Sequence, residues 1–320
     1  MINKISIVVP VFNEEENVLL LHEKITEVCS QLEYDYEVIY VDDGSSDTSA
    51  ELLNGIVDAG DTHTHVVEFA RNFGQTAAIA AGIDHSEGDV VILMDADLQN
   101  DPVDIPALLD KINEGYDVVS GWRKNRRDTW LSRKLPSQIA NALISKVTGV
   151  KLHDYGCTLK AYRKEVIKGF KLYGEMHRFI PAYARNVGAK ITELPVNHHP
   201  RIHGVSKYGI IRTFKVVLDL FTVTFLHRYA TKPIYFFGTV AFILVFLSVV
   251  VFGFLVWDKV ANDASFVRSP LLLLSAMSFL LGIFSMFFGL IAELLVRTYY
   301  ESQAKATYVL KQLKKEKPTS

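Results

Sequence analysis

Short β-branched runs alternate with longer mixed stretches over the first 208 residues, after which the chain turns apolar and aromatic and, from Pro233, reads as a membrane sequence. Ile5-Ser6-Ile7-Val8-Val9-Pro10 predicts a buried strand that stops at the proline. Asn13 is placed to cap a following helix, with Glu14, Glu15 and Glu16 in a first turn where the helix dipole favours carboxylates. Glu37-Val38-Ile39-Tyr40-Val41 predicts a second strand that runs into the turn chemistry of Asp42-Asp43-Gly44-Ser45-Ser46-Asp47. Residues 66–69 predict a third strand and the Ala-rich residues 75–83 a helix. Val90-Val91-Ile92-Leu93-Met94 is apolar throughout, as expected of a strand buried on both faces. A helix over residues 104–113 and a fifth strand, Val118-Val119-Ser120, follow. This alternation predicts βαβ units and a mostly parallel sheet. Such sheets bind ligands outside the carboxyl ends of their strands. The polar motifs fall at those ends, after Pro10, Val41, Phe69, Met94 and Ser120.

The end of the chain follows another rule. Residues 234–257 carry no charged side chain, nor do residues 271–292, and each stretch exceeds the ~20 residues needed to cross a bilayer. The segment between them, residues 258–269, is short and balanced in charge. The outer flanks are basic: Arg212, Lys215, Arg228 and Lys232 before the first span, and Arg297, Lys305, Lys311, Lys314, Lys315 and Lys317 after the second. The positive-inside rule then places both termini and the first domain on the cytoplasmic side of a cell (inner) membrane. Residues 209–231 mix apolar side chains with Arg212, Lys215, Asp219, His227 and Arg228, which suits a helix lying in the membrane interface or one packed on its own domain or a partner. The expected domains are thus 1–208 catalytic, 209–231 interfacial, 232–298 two spans (about 234–257 and 271–296), and 299–320 a basic tail.

Composition narrows this little further. The formal net charge of -2 points to no nucleic-acid partner. Two cysteines, Cys29 and Cys157, are too few for a disulfide framework.

Asp95-Ala96-Asp97, just past the most apolar strand, is the sharpest chemical signal. Two carboxylates at this spacing can share a divalent cation, Mg²⁺ or Mn²⁺, with substrate phosphates. The plain alternative is a solvated turn with a cap at Asp101. In Asp42-Asp43-Gly44-Ser45 one carboxylate can accept the ring N–H of a nucleobase, or the stretch can simply cap a helix. Arg201, His203, Gly204, Ser206, Lys207 and Tyr208 suit a loop closing over phosphates, or a juxtamembrane patch on lipid headgroups. Arg123, Lys124, Arg126, Arg127, Arg133 and Lys134 form a second basic cluster, for a lipid phosphate or a solvated face. Asp154 is a candidate general base or a plain turn carboxylate. A phosphate monoester, with a second pKa near ~6, would need little proton abstraction. His198, His199 and His203 lack the partners of a zinc site.

Together, Val9-Pro10-Val11-Phe12-Asn13-Glu14, Val41-Asp42-Asp43-Gly44-Ser45, Asp95-Ala96-Asp97 and the 201–208 stretch resemble, in order and spacing, the family 2 glycosyltransferases with the GT-A fold. Arg71-Asn72-Phe73-Gly74-Gln75, Asp95-Ala96-Asp97-Leu98-Gln99 and Asp154-Tyr155-Gly156-Cys157 with Lys160-Ala161-Tyr162-Arg163 are similar to the polyprenyl-phosphate members, which include dolichyl-phosphate mannose synthase and bacterial undecaprenyl-phosphate glucosyl- and aminoarabinosyltransferases. The resemblance implies an α/β, Rossmann-like GT-A domain with an interfacial helix and two C-terminal transmembrane helices. It implies Pro10, Phe12 and Glu14 in a nucleotide pocket, with Asp42 on the base. Asp95 and Asp97 would bind metal and diphosphate, with Gln99 alongside. Arg201, Ser206 and Lys207 would close on the donor. Arg123, Arg133 and Ser137 match acceptor-phosphate positions, and Arg126 or Arg127 can replace Arg123 where the run departs from the pattern. Asp154 would be the proposed base, standing with Asp97 at the catalytic centre, or would orient the acceptor or the sugar instead. The family inverts at the anomeric carbon, which implies one in-line displacement.

The expected partners are therefore a nucleotide-sugar, first of all UDP-glucose, a polyprenyl phosphate, the bilayer and further copies of the chain. GDP-mannose or UDP-aminoarabinose is the alternative donor. A processive polysaccharide synthase would carry a Gln-x-x-Arg-Trp run, which this sequence lacks. A non-catalytic scaffold has no need of the paired aspartates.

Overall fold

The structure, a computed structural model, describes residues 2–124, 141–142, 144–146, 148–168, 172, 176–200, 225, 229, 232–262, 265 and 269–302. The chain forms two compact units, Met1–Thr224 and Phe225–Ser320.

The first unit is built on a seven-stranded sheet. In chain order the elements are β1 (Lys4–Val11), α1 (Val18–Cys29), β2 (Asp35–Asp42), α2 (Ser49–Asp58), β3 (Thr64–Glu68), α3 (Gln75–His85), β4 (Val90–Leu93), a 3₁₀ turn (Pro102–Asp104), α4 (Ile105–Asn113), β5 (Val118–Trp122), β6 (Lys160–Arg163), α5 (Lys164–Ile167), a second 3₁₀ turn (Met176–Phe179), α6 (Ile180–Asn186) and β7 (Ile191–Pro195). The spatial order is β3-β2-β1-β4-β6-β5-β7. The pairs β1–β2, β2–β3, β1–β4 and β5–β7 are parallel, and β6 runs antiparallel to both β4 and β5. Six strands therefore point the same way. The chain steps from β1 outward to β3 and then returns to β4 on the other side of β1, so the topological switch point lies between β1 and β4.

Both faces of the sheet are covered, and the strand period shows it. Ile5, Ile7, Val9 and Val11 of β1 bury into one cluster with Val18, Leu21 and Ile25 of α1 and with Leu108 and Ile112 of α4. The intervening Val8 buries into the other, with Ile39 and Val41 of β2 and with Ala78, Ile79 and Ile83 of α3. Alternate residues thus serve opposite layers, as the period of two requires.

One expectation is corrected here, and the structure adds detail at two other places. The first helix begins at Val18, not after Asn13. Asn13 instead has φ 52°, and the backbone N–H groups of Asn13, Glu14 and Glu15 donate to Ser45 Oγ, Ser49 Oγ and Asp47 Oδ2. Those side-chain acceptors outcompete a local helix. Strands β6 and β7 belong to the sheet although no apolar run announces them. The helix expected from residue 104 opens as a 3₁₀ turn, with Asp101 Oδ1 accepting from Val103 N at 3.2 Å.

The second unit contains α7 (Ile234–Asn262) and α8 (Pro270–Ser302), both long and apolar enough to cross a membrane. They pack as a hairpin. Ser248 Oγ donates to Ser275 O at 2.8 Å and Ser275 Oγ returns a bond to Ser248 O at 3.1 Å. Ser285 Oγ donates to Phe237 O at 2.9 Å. Small hydroxylated residues allow close approach and bond across the pair, while Phe242, Phe246, Phe284 and Phe287 face outward. These helices indicate membrane association. The interfacial segment expected over 209–231 and the tail lie almost entirely outside the described residues.

At the far edge of the sheet, away from the strand carboxyl ends, Glu37 is 2% exposed and accepts from Ser6 Oγ, from Glu87 N at 2.6 Å and from Lys4 Nζ at 2.9 Å. Burial works to raise its pKa, but these donors outweigh it and hold the carboxyl below its ordinary 4.5. Glu37→Ala is expected to cost about 1–3 kcal/mol, because it leaves the buried Ser6 hydroxyl, the Glu87 N–H and the part-exposed Lys4 ammonium without their shared acceptor. With the folded pKa depressed, this stabilisation is full above pH 4.5 and is lost as pH falls through the folded value. Denaturant melts of natural and variant protein at neutral pH and on acidification should converge at low pH.

Candidate active site

The carboxyl ends of β1 and β2 are knitted into one lip. Register sets Pro10 opposite Val41 and Val11 opposite Asp42, and Asp42 in turn opposite Glu68. Pro10, Phe12 and Glu14 are half-buried along it. The buried Asp42 accepts from Ser45 N at 3.0 Å and from Ser45 Oγ, and Asn13 Oδ1 accepts from Ser46 N at 2.7 Å. Asp43 reaches the loop after β3, accepting from Phe73 N at 2.7 Å and Gly74 N at 2.9 Å. Burial pushes the Asp43 carboxyl above its ordinary value, and those two N–H groups oppose the shift. The two aspartates of this motif therefore order two different loops, and Asp42 keeps for a further donor only the lone pairs that Ser45 leaves over.

Asp95 stands just beyond β4, at the switch point. Gln75 Nε2, from the first residue of α3, donates to its Oδ1 at 2.7 Å. Thr158 Oγ1, from the segment before β6, donates to its Oδ2 at 2.7 Å. Burial, and then the nearby charge of Asp97, push the Asp95 carboxyl up to about 6, while Thr158, Arg123 and Lys160 act the other way. Asp97 is 8% exposed and accepts from Gln99 N at 3.1 Å. Leu98, between them, has φ 58°, a left-handed turn held by that Asx-type bond. Gln99 O accepts from His199 N at 3.0 Å, which brings the loop after β7 against the same segment.

Arg123 follows β5, and Asp154 lies on the segment leading to the antiparallel β6, so both reach the same edge. They form a forked ion pair, Nε to Oδ2 at 2.7 Å and Nη2 to Oδ1 at 2.9 Å. Gly156 N adds a third bond to Asp154 at 3.0 Å. Burial works against the Arg123 charge, but Asp154 outweighs it and holds the guanidinium above its ordinary pKa. Of the five N–H donors of an arginine, two go to Asp154, and among the described residues no side-chain or backbone acceptor takes the other three. Asp154 thus orients the guanidinium with both of its oxygens.

The structure thus brings together Pro10, Phe12, Glu14, Asp42, Asp95, Asp97, Gln99, Arg123 and Asp154 on one sheet edge. Arg126, Arg127, Arg133, Ser137, Arg201, Ser206 and Lys207 lie outside the described residues. Gln75, Thr158 and the buried Lys160 were given no role by sequence reasoning. Gln75 and Lys160 stood inside the quoted motifs, and nothing local in Thr158 marks it as a partner of Asp95.

Among the described residues no group of three or more His, Cys, Asp or Glu gathers in the manner of a protein-only metal cage. Mg²⁺ and Mn²⁺ do not need one. Burial first, and then the charge of Asp97, raises the pKa of Asp95, so the two carboxylates form a hard-oxygen site that fits a cation completed by phosphate and water. Asp95 and Asp97 would hold it.

Gly44 has φ 68°, and a Cβ there would fall 2.4 Å from the backbone carbon of Arg71. Gly44→Ala is expected to cost roughly 2 kcal/mol or more, combining left-handed strain with a backbone clash. It should also weaken nucleotide binding, since the loops after β2 and β3 must part. A thermal melt with and without nucleoside diphosphate reads both effects.

The sequence pattern of the family described as Glycosyl transferase family 2 matches residues 6–170. A dodecaprenyl-phosphate galacturonate synthase of Rhizobium johnstonii is 44% identical over 97% of this chain and 93% of its own length. An undecaprenyl-phosphate 4-deoxy-4-formamido-L-arabinose transferase of Proteus mirabilis is 37% identical over 98% of this chain and 94% of its own. Among solved structures, glucosyl-3-phosphoglycerate synthase of Mycobacterium tuberculosis with Mg²⁺ and UDP superposes with TM-score 0.53 at 17% identity, covering 69% of this chain and 79% of that one. That likeness speaks to the fold, a GT-A arrangement. Pattern, end-to-end relatives and fold agree, and the chain belongs to glycosyl transferase family 2, among its polyprenyl-phosphate glycosyltransferases.

Proposed function

We propose that this protein moves a single sugar from a nucleoside diphosphate onto a polyprenyl phosphate at the cytoplasmic face of a membrane. The observation that carries the reading is the pairing, at one sheet edge, of the Asp95/Asp97 carboxylates with the Arg123–Asp154 pair. The first suits a metal-bound diphosphate and the second an incoming phosphate.

An acceptor phosphate oxygen attacks the anomeric carbon as the bond from that carbon to the donor diphosphate breaks. The nucleoside diphosphate leaves with the electron pair, and the sugar is left on the lipid phosphate. When bound, a divalent cation supplies charge compensation for the departing diphosphate. The chain's own part is placement. Pro10, Phe12 and Glu14, with Asp42 behind them, line the nucleotide side. Arg123 meets the acceptor phosphate through its remaining donors, and Asp154 keeps the guanidinium charged and aimed. A phosphate monoester is largely deprotonated at neutral pH, so no strong base is required. Arg126, Arg127, Arg133 and Ser137 would extend the acceptor side, and Arg201, Ser206 and Lys207 would close on the donor.

Glucose was the donor expected from the motifs. The two relatives carry galacturonate and 4-deoxy-4-formamido-L-arabinose in their names, so a nucleotide-linked uronic acid becomes the first donor to test. The buried Lys160, whose pKa is lowered to about 8 by burial first and then by Arg123 and Arg178, acts electrostatically on Asp95 and adds positive potential that a sugar carboxylate would favour. The two apolar helices serve as the membrane anchor, residues 209–231 as an interfacial helix, and the basic flanks set the cytoplasmic orientation.

Purified full-length protein with Mn²⁺ or Mg²⁺ and undecaprenyl phosphate, offered UDP-galacturonate, UDP-glucose, GDP-mannose and UDP-aminoarabinose derivatives, should yield one monoglycosyl lipid, with the uronate turned over fastest. Polymer in place of that product would sink the single-transfer reading. Asp97→Ala should lower turnover by roughly 100-fold or more, and Asp154→Asn should raise the acceptor KM more than it lowers kcat. An Asp97→Ala protein as fast as the natural one would remove the metal assignment.

A further inference from the structure

Between Asp154 and Lys160 the chain touches two parts of the site that no other described segment joins. At its start Asp154 grips Arg123 with both oxygens. Four residues on, Thr158 Oγ1 donates to Asp95 Oδ2 at 2.7 Å. Close packing keeps the turn between them short of slack, since a Cβ on Gly156 would sit 3.1 Å from Arg123 Nη2.

The turn is also fastened from inside. Lys160 is 3% exposed, and its ammonium donates to Tyr155 O at 3.2 Å and to Cys157 O. A buried ammonium is tolerated only where its donors are met, so these carbonyls and the lysine fix one another. Tyr155, itself fully buried, donates its hydroxyl to Val150 O at 2.7 Å. The segment is therefore pinned to the core on one side while presenting Asp154 and Thr158 on the other.

We propose that residues 154–160 form one positioning element, in which Thr158 sets the Asp95 carboxylate, Asp154 sets the Arg123 guanidinium, and Lys160 locks the spacing between them. The inference rests on the transfer reading above. In-line displacement needs the attacking oxygen about 3 Å behind the anomeric carbon and opposite the leaving diphosphate, and small misplacements are costly. A carboxylate offers about four lone-pair sites. With Gln75 and Thr158 on one oxygen each, the rotation of Asp95 is fixed and its remaining lone pairs take a defined direction. Thr158 and Lys160 are then positioning residues that act through Asp95, Asp154 and Arg123.

The test uses the full chain and two readouts. Mn²⁺ binding in the presence of UDP, without acceptor, is followed by electron paramagnetic resonance. Steady-state transfer gives the acceptor KM and kcat. Thr158→Val keeps the shape and removes the hydroxyl, and Thr158→Ser keeps the hydroxyl. Thr158→Val is expected to weaken Mn²⁺ binding roughly tenfold, as loss of a ligand-orienting bond does, while Thr158→Ser restores it and the melting temperatures of both stay near that of the natural protein. Lys160→Met should weaken Mn²⁺ binding and raise the acceptor KM together, since it frees both ends of the element. The proposal is overturned if Thr158→Val binds Mn²⁺ as tightly as the natural sequence, if Thr158→Ser is as impaired as Thr158→Val, or if natural protein shows no Mn²⁺–UDP binding. Should Lys160→Met not fold, the two Thr158 variants decide. Natural protein that binds Mn²⁺–UDP yet glycosylates no polyprenyl phosphate would sink the transfer reading while leaving the Thr158 comparison intact.

Discussion

Asp95, Asp97 and Asp154 place three carboxylates at one edge of the sheet, and the rest of the first unit is arranged around keeping that charge in place. Each has a neighbour that holds it. Asp95 takes bonds from Gln75 and Thr158, Asp97 from the backbone of Gln99, and Asp154 from Arg123 and Gly156. Those donors come from α3, from the turn after β4, from the end of β5 and from the segment entering β6. No single stretch of sequence could have supplied them. The sheet order brings them together, because β6 inserts antiparallel between β4 and β5 and so delivers its leading segment to the edge where the parallel strands end.

The same logic governs the lip of β1 and β2, the side proposed for the nucleotide. Asp42 and Asp43 are adjacent in sequence yet tie down different loops, one its own and the other the loop after β3. Gly44 lets the backbone of Arg71 and Asn72 pass close against the loop after β2. An acidic pair that sequence alone reads as a nucleobase acceptor or a helix cap is first a device that ties down two neighbouring loops. Binding by Asp42 and wall-building by Asp43 are compatible, since a carboxylate keeps lone pairs beyond those its loop consumes. The helix pair of the second unit obeys a different constraint. There the serine hydroxyls of α7 and α8 bond to carbonyls of the neighbouring helix, while the aromatic side chains face outward.

The sequence by itself determined most of the frame. The β-branched runs marked β1 to β5, because a strand covered on both faces must be apolar at every position, and β4 meets that condition in full. The two uncharged stretches near the C-terminus could scarcely be anything but long apolar helices. Asp95 and Asp97 were legible because they follow the most apolar strand, where a carboxylate has to have a reason. What tertiary structure alone decided is pairing. Lys160-Ala161-Tyr162-Arg163 has no strand signature, and becomes β6 because β4 and β5 offer it two ladders at once. Asn13 looks like a helix cap until Ser45, Ser46 and Ser49 claim the chain around it. Thr158 is an ordinary threonine until the fold carries it, across a separation of 63 residues, to an oxygen of Asp95. Periodicity reports which face of an element is buried, and local motifs report which charges are unusual. Which distant donor satisfies a buried charge is fixed only when the strands have chosen their neighbours.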